Sequence, residues 1–181
     1  MATSGGSVAR RYAKALFEIG VSENAFERFE AELGALSQVY VGSSELRMSL
    51  ENPVIKTAEK QAVMRAILPR VAPSPSVQRF ALLLLERGRI PLLPSIARAY
   101  RRLADDRAGQ VRATVSTATP IAAADLDRVR SALEKRTGRK VIVETTVDPN
   151  LIGGIVARVG DLVLDGSVRA QLEDMRQRLL N

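Results

Sequence analysis

The sequence contains no cysteine. That excludes disulfides, thiolate metal ligands and cysteine nucleophiles. It contains no histidine either, which removes the commonest general base, the usual zinc ligand and any Ser-His-Asp triad. Metalloenzyme and hydrolase readings start from a poor position. Tryptophan is missing and aromatic residues make up only 4% of the chain, so Leu, Val, Ile and Ala must do the packing. No apolar run approaches the roughly 18 residues of a membrane span. The opening "MATSGGSVARR" has no apolar centre for a secretory signal and reads as a short flexible lead into a helix.

What is present suits a folded chain. Its 181 residues, 46% of them hydrophobic, allow one ordinary domain or two small ones. The formal charge is +7, from 27 basic and 20 acidic residues. Basic charge invites a nucleic-acid or acidic-partner reading. Yet the acids are interspersed, with no lysine-rich arm and no aromatic platform for stacking bases. Solvated helix faces account for most of the pattern.

The first half reads as helix after helix. In "SVARRYAKALFEIG", Val8, Tyr12, Ala15, Leu16 and Ile19 recur at helical spacing, with Ser7 as cap and Gly20 as stop. Ala9 and Ala13 form a second, small-residue strip that another helix could approach closely. In the next helix Phe26, Phe29, Leu33, Leu36 and Tyr40 form the stripe, and Glu27, Arg28, Glu30 and Glu32 lie mostly off it. A short helix around "SELRMSL" should stop before Asn52-Pro53. Thr57 is expected to cap the following helix, which should end at Pro69. In "SPSVQRFALLLLERG", Ser74 is the expected cap, Pro75 suits the first position and Gly88 the stop. Val77, Phe80, Ala81 and Leu84 make a core face. Leu82, Leu83 and Leu85 widen it well beyond one stripe, so the helix is either central or covered by a partner. A sixth helix places Ile96, Tyr100 and Leu103 on one face.

The texture changes at Gly109. "QVRATVSTA" alternates as a strand, and a helix with Leu126, Val129 and Leu133 inward follows, ending at Gly138. "KVIVETTV" is a second strand, and "GIVARV-GD-LVLD" reads as two strands joined by a Gly-Asp turn. A last helix carries Val168, Leu172, Met175 and Leu179. The expected fold is mainly α with a C-terminal α+β part, divided as 1–108 and 109–181.

"LIGGIVARVGDLVLDGS" is the one stretch that resembles a phosphate-binding loop. A phosphate cradle needs glycines between a strand and a helix, and a Walker loop a Gly-Lys-Ser/Thr ending. No Lys follows Gly153-Gly154, and the segment after them alternates like a strand. Gly160 and Asp161 fall where a tight hairpin turns, and Asp165-Gly166-Ser167 reads as a turn into a helix cap. Asp161 and Asp165 are separated by roughly 13 Å of extended chain, too far for a shared acid–base site. No catalytic, metal-binding or cofactor-binding residues are assigned, and no cofactor is expected. The residues alone stop at a non-enzymatic, two-part protein that binds other proteins.

Four segments then carry a resemblance: "RRYAKALFEIG", "ENPVI", "LLLERGRIPLLPSIARAY" and above all "VDPNLIGGIVARVGDLVLDGSVRAQLEDM" at 147–175. Together they resemble the delta subunit family of bacterial F-type ATP synthase, whose mitochondrial counterpart is the oligomycin-sensitivity-conferring protein. The match runs in order from about Val8 to Leu180. The resemblance implies an N-terminal six-helix bundle followed by a small strand-and-helix domain. It implies a non-catalytic stator subunit, one copy per complex, peripheral to the cytoplasmic face of a bacterial inner membrane. The bundle would hold the N-terminal helix of an alpha subunit of the F1 head between its first and fifth helices. The C-terminal part would hold the b-type peripheral stalk subunits. Under that implication Tyr12, Ala15, Leu16 and Leu83 are the expected groove residues, with Tyr12 and Leu16 as plain core residues the alternative; Leu83 lies about 60° round the helix from Phe80. Gly153, Gly154, Gly160, Asp161, Asp165 and Gly166 shape the stalk-side segment. A basic nucleic-acid-binding protein, carried by the charge and by "RAYRRLADDR", is the runner-up; it predicts steeply salt-dependent retention on DNA or RNA. A small phosphate-binding enzyme is the other rival. The stator reading expects no nucleic-acid partner.

Overall fold

The computed structural model describes residues 3–160 and 162–180. The helices of the first part are α1 (Thr3–Ser22), α2 (Phe26–Gly42), α3 (Ser44–Glu51), α4 (Thr57–Val71), α5 (Pro75–Glu86) and α6 (Leu93–Arg107), with a 3₁₀ turn at Ile90–Leu92 before α6. After them come β1 (Gln110–Thr117), α7 (Ala123–Thr137), β2 (Lys140–Val147), β3 (Gly154–Val159), β4 (Leu162–Ser167) and α8 (Val168–Leu180). The chain divides into two compact units, Met1–Ala104 and Asp105–Asn181. Mainly helical structure with a C-terminal mixed sheet is therefore present. The arrangement has eight α-helices among the described residues, and the sixth runs past the edge of the first unit to Arg107. Asp105 and Asp106, in that last turn, pair with Arg112 at 2.9 Å and Arg139 at 3.1 Å.

The core of the first unit explains which helix faces point inward. In α1 the buried positions are Ala9, Ala13, Leu16 and Gly20. The small-residue strip is thus the inner face, and the larger stripe of Val8, Tyr12, Ala15 and Ile19 is displaced to the flank. Close approach decides this. A Cβ added at Gly20 would lie 2.6 Å from the Tyr100 hydroxyl oxygen and 3.1 Å from the Phe26 Cα. Gly20 therefore does not stop α1, which continues to Ser22. Phe17 sits edge-on to Phe26 and Tyr100, and Tyr100 donates to the Phe26 carbonyl at 3.1 Å. Burial pushes the Tyr100 phenol well above its ordinary pKa, and the nearby Glu30 and Glu32 add to the shift. Leu33, Leu84 and Ile96 are also fully enclosed; truncating a leucine at such a position costs about 2–5 kcal/mol.

Several expected helix ends move. α1 begins at Thr3, so Ser7 is interior and not a cap. Thr57 is the first residue of α4 and forms no cap; the preceding Lys56 is extended. Pro69 lies inside α4, which ends two residues later at Val71 before the left-handed Ala72. A proline this close to the C-terminus disturbs only the last turn. Ser74 precedes α5, but its side chain makes no cap hydrogen bond to that helix. Its N–H and hydroxyl instead donate to the buried Glu32 at 2.8 and 2.7 Å. Glu32, expected off the α2 stripe, is inside it.

In the second unit the strand order is β2-β1-β3-β4. β1 runs parallel to β2, joined through α7, and antiparallel to β3; β3 and β4 form an antiparallel hairpin. Ala113, Val115, Val141, Ala157 and Val159 point to one face and pack with Leu133 of α7, the period-two burial that one covered sheet face produces. The expected turn at Asp165-Gly166-Ser167 is instead the end of β4: Asp165 pairs with Val156, Gly166 with Ile155 and Ser167 with Gly154. Ser167 does cap α8, accepting from the Ala170 N–H at 3.2 Å.

Candidate functional site

Two surfaces carry the features singled out in the sequence, one on each unit. On the first unit, residues spaced by four and three along α1 share a flank. Here they are Val8, Tyr12, Ala15 and Ile19. Tyr12 and Phe80 of α5 meet edge to face, with ring centroids 6.3 Å apart, so this flank faces α5. Ile19 is 44% exposed and Leu83 of α5 is 39% exposed. Tyr12 and Val8 are half-buried and Ala15 is exposed. Leu16 differs from its expected neighbours: it is 1% exposed and belongs to the core, so it supports the floor under Tyr12 and offers no surface of its own. Leu82 is half-buried against the core and Leu85 is buried. Of the surplus leucines in α5, only Leu83 remains substantially outside.

This flank is apolar without being closed. Polar groups of the same two segments pair with one another: the Ser76 hydroxyl of α5 donates to Glu23 at 2.7 Å and accepts from Arg79 at 3.4 Å. What the flank can do is bury aliphatic and aromatic surface against a further apolar helix, at about 25 cal/mol for each Å² removed from water. Ile19 is the residue of α1 that periodicity placed on the wrong face. Its spacing matched the expected core face, and only the tight Ala9–Ala13–Gly20 approach reveals that the core lies on the other side.

On the second unit, the glycine-rich stretch is a piece of sheet. Gly154 begins β3 with φ +84°, and a Cβ there would stand 2.4 Å from the Gly166 carbonyl oxygen and 2.8 Å from the Ser167 Cα. Only glycine fits that approach. The Gly153 carbonyl accepts from the Val168 N–H at 3.1 Å. The two glycines thereby fasten the start of β3 to the junction of β4 and α8. Gly160 turns the hairpin with φ +57°; Asp161 lies outside the described residues. Asp165 accepts from the Ser167 N–H at 2.9 Å, and hydrogen bonding from Ser167 holds its carboxyl below the usual range. The stretch leads into a strand, so Gly153-Gly154 is not the strand-to-helix loop of a phosphate cradle, and the first amide of the neighbouring α8, that of Val168, is taken by the Gly153 carbonyl. Beyond the junction, α8 leaves Leu172 58% exposed and Met175 61% exposed, a second apolar surface. Among the described residues no helix is long and apolar enough to cross a membrane.

Comparison with known proteins places the chain in a family. The family model described as ATP synthase delta (OSCP) subunit matches residues 8–179. The ATP synthase subunit delta of Geobacter metallireducens is 39% identical over 173 residues, covering 96% of each chain. That of Citrifermentans bemidjiense is 41% identical over 169 residues, covering 93% of this chain and 94% of that relative. A chain in the Toxoplasma gondii mitochondrial ATP synthase hexamer has the same fold, with TM-score 0.73 and 23% identity over 96% of this chain and 97% of that one.

Proposed function

The chain belongs to the ATP synthase delta (OSCP) subunit family, and from that premise we propose that it is a structural stator subunit joining the catalytic head of an F-type ATP synthase to its peripheral stalk. Rotation of the central rotor exerts torque on the head. The head must be held still for proton flow to drive ATP synthesis, and this chain is part of what holds it. The work is mechanical and needs extended apolar contacts rather than a reactive centre.

The reading assigns each surface a partner. The six helices of the first unit act as one bundle, and the flank of α1 beside α5 receives the N-terminal helix of an alpha subunit. Tyr12, Ala15 and Leu83 touch it, Ile19 extends the contact, and Leu16 backs it from the core. The second unit receives the C-terminal ends of the b-type stalk subunits, with Leu172 and Met175 of α8 as the exposed apolar surface. One copy serves each complex. The chain sits on the cytoplasmic face of the bacterial inner membrane, held there through its partners. The observation that carries the reading is the apolar flank of α1. It pairs Tyr12 with Phe80 and leaves Ile19 and Leu83 open to solvent, exposed apolar surface of the kind that a docking helix covers.

Binding of a peptide from the N-terminus of the alpha chain tests it. The Leu83→Asp variant should keep its native circular dichroism, because Leu83 is already 39% exposed. It should bind the peptide at least about 1–3 kcal/mol more weakly, the range for losing one well-packed interface residue. Unchanged affinity by calorimetry in a natively folded variant refutes the groove. A parallel pull-down with a peptide from the C-terminus of the b-type stalk chain tests the other surface; no capture of either peptide ends the stator reading.

A further inference from the structure

The opposite flank of α1 is different in character. There α1 and α6 border an open groove of about 610 Å³, lined from residue 6 to residue 14 on one side and from residue 95 to residue 103 on the other. At 1.5 Å per residue each wall is about 12 Å long, a little over two helical turns. Ala9, Ala99 and Leu103 contribute the apolar floor, and Arg10, Lys14, Arg98 and Arg102 the rims. Among the described residues no carboxylate lines it. Ala9 is buried and Ala99 and Leu103 are half-buried, whereas all four cations are exposed. Lys14 meets Glu18 only at 4.0 Å, with both side chains solvated, and Arg98 reaches Ser95 at 3.0 Å.

We propose that this groove docks an acidic amphipathic helix of a partner protein, as an attachment site separate from the α1–α5 flank. The walls are small enough at Ala9 and Ala99 for a helix backbone to come near. The contact length suits two turns of such a helix, with its apolar stripe on the floor. Four cations with no acid among them select glutamates and aspartates along both edges of that stripe. A basic helix would place like charges at both rims. The two flanks of α1 therefore discriminate: one by apolar shape against α5, the other by charge against α6. The site does not depend on what occupies the α1–α5 flank.

The test uses the full chain and a designed 18-residue helical peptide. Its Leu/Ala stripe is flanked by glutamates, and a second peptide replaces every glutamate with lysine. Fluorescence anisotropy should show binding of the acidic peptide, weakening as salt rises from about 50 to 300 mM as the rim charges are screened. R98E/R102E, both at exposed positions, should lower affinity at least about tenfold with native circular dichroism. L83D should leave it unchanged. A photo-crosslinker placed at Ala99 in the assembled synthase should mark an acid-rich helical segment. The proposal is overturned if the two peptides bind equally. It is also overturned if R98E/R102E has no effect, if L83D removes binding as strongly, or if the crosslinked segment is basic. Anionic phosphatidylglycerol vesicles that compete fully with the acidic peptide in an Arg98- and Arg102-dependent way would assign the groove to a lipid surface instead.

Discussion

Glu32 is a carboxylate at 9% exposure whose two oxygens have different jobs. One faces Arg28 at 2.7 Å, and the other takes both the N–H and the hydroxyl of Ser74. Arg28 is 66% exposed, so the ion pair itself adds little. The Ser74 contacts are enclosed, and they fasten the entrance of α5 to the middle of α2. Glu32→Ala should leave a backbone donor and a hydroxyl without their partner, costing about 1–3 kcal/mol by urea denaturation. Glu32→Gln keeps an acceptor and should lose clearly less. Equal stability of Glu32→Ala and the parent would show that water replaces the carboxylate freely. Nothing in the sequence announces this residue. It stands in a run of glutamates at surface-like spacing, and only the return of residue 74, far along the chain, gives it an inward role.

At the scale of elements, periodicity located every α-helix and strand, but it ranked the faces of α1 by side-chain size. The structure ranks them by how near a neighbour can come, which is why Ala9, Ala13 and Gly20 lie inside while Ile19 does not. The candidate groove was legible to the same extent: Tyr12, Ala15 and Leu83 flank or reach the surface, whereas Leu16 has been drawn into the core. The hairpin was legible too, from its Gly-Asp link. Its second strand runs longer than composition suggests, because Asp165 and Gly166 have ladder partners that no local signal marks. Gly154 sits at the crossing of these effects. Gly154→Val would drive its Cβ into the Gly166 carbonyl at 2.4 Å while forcing a β-branched residue to positive φ. The variant should lose strand signal and capture of the stalk peptide, and retain helical signal and binding of the alpha-chain peptide. Native amide exchange protection across β3 and β4 in that variant would contradict the close packing.

For the whole molecule, two units with separate cores suit the proposed role of gripping two partners. In synthase-containing membranes, Leu83→Asp should reduce proton-driven ATP synthesis while ATP hydrolysis by the head continues, because in the proposed role the chain anchors the head and takes no part in catalysis. Parallel loss of both activities would instead show that the chain acts on catalysis. The order of elements also bears on how the protein is made. β1 lies second in the sheet and pairs on both sides, but β2 follows only after α7, and β3 only after β2. A ribosome thus releases the helical unit with all its contacts available, most of them between neighbours in sequence. It then extrudes β1 with both edges bare until the next strands arrive. During that interval Val111, Ala113 and Val115 are the segment that a trigger-type chaperone would have to shield.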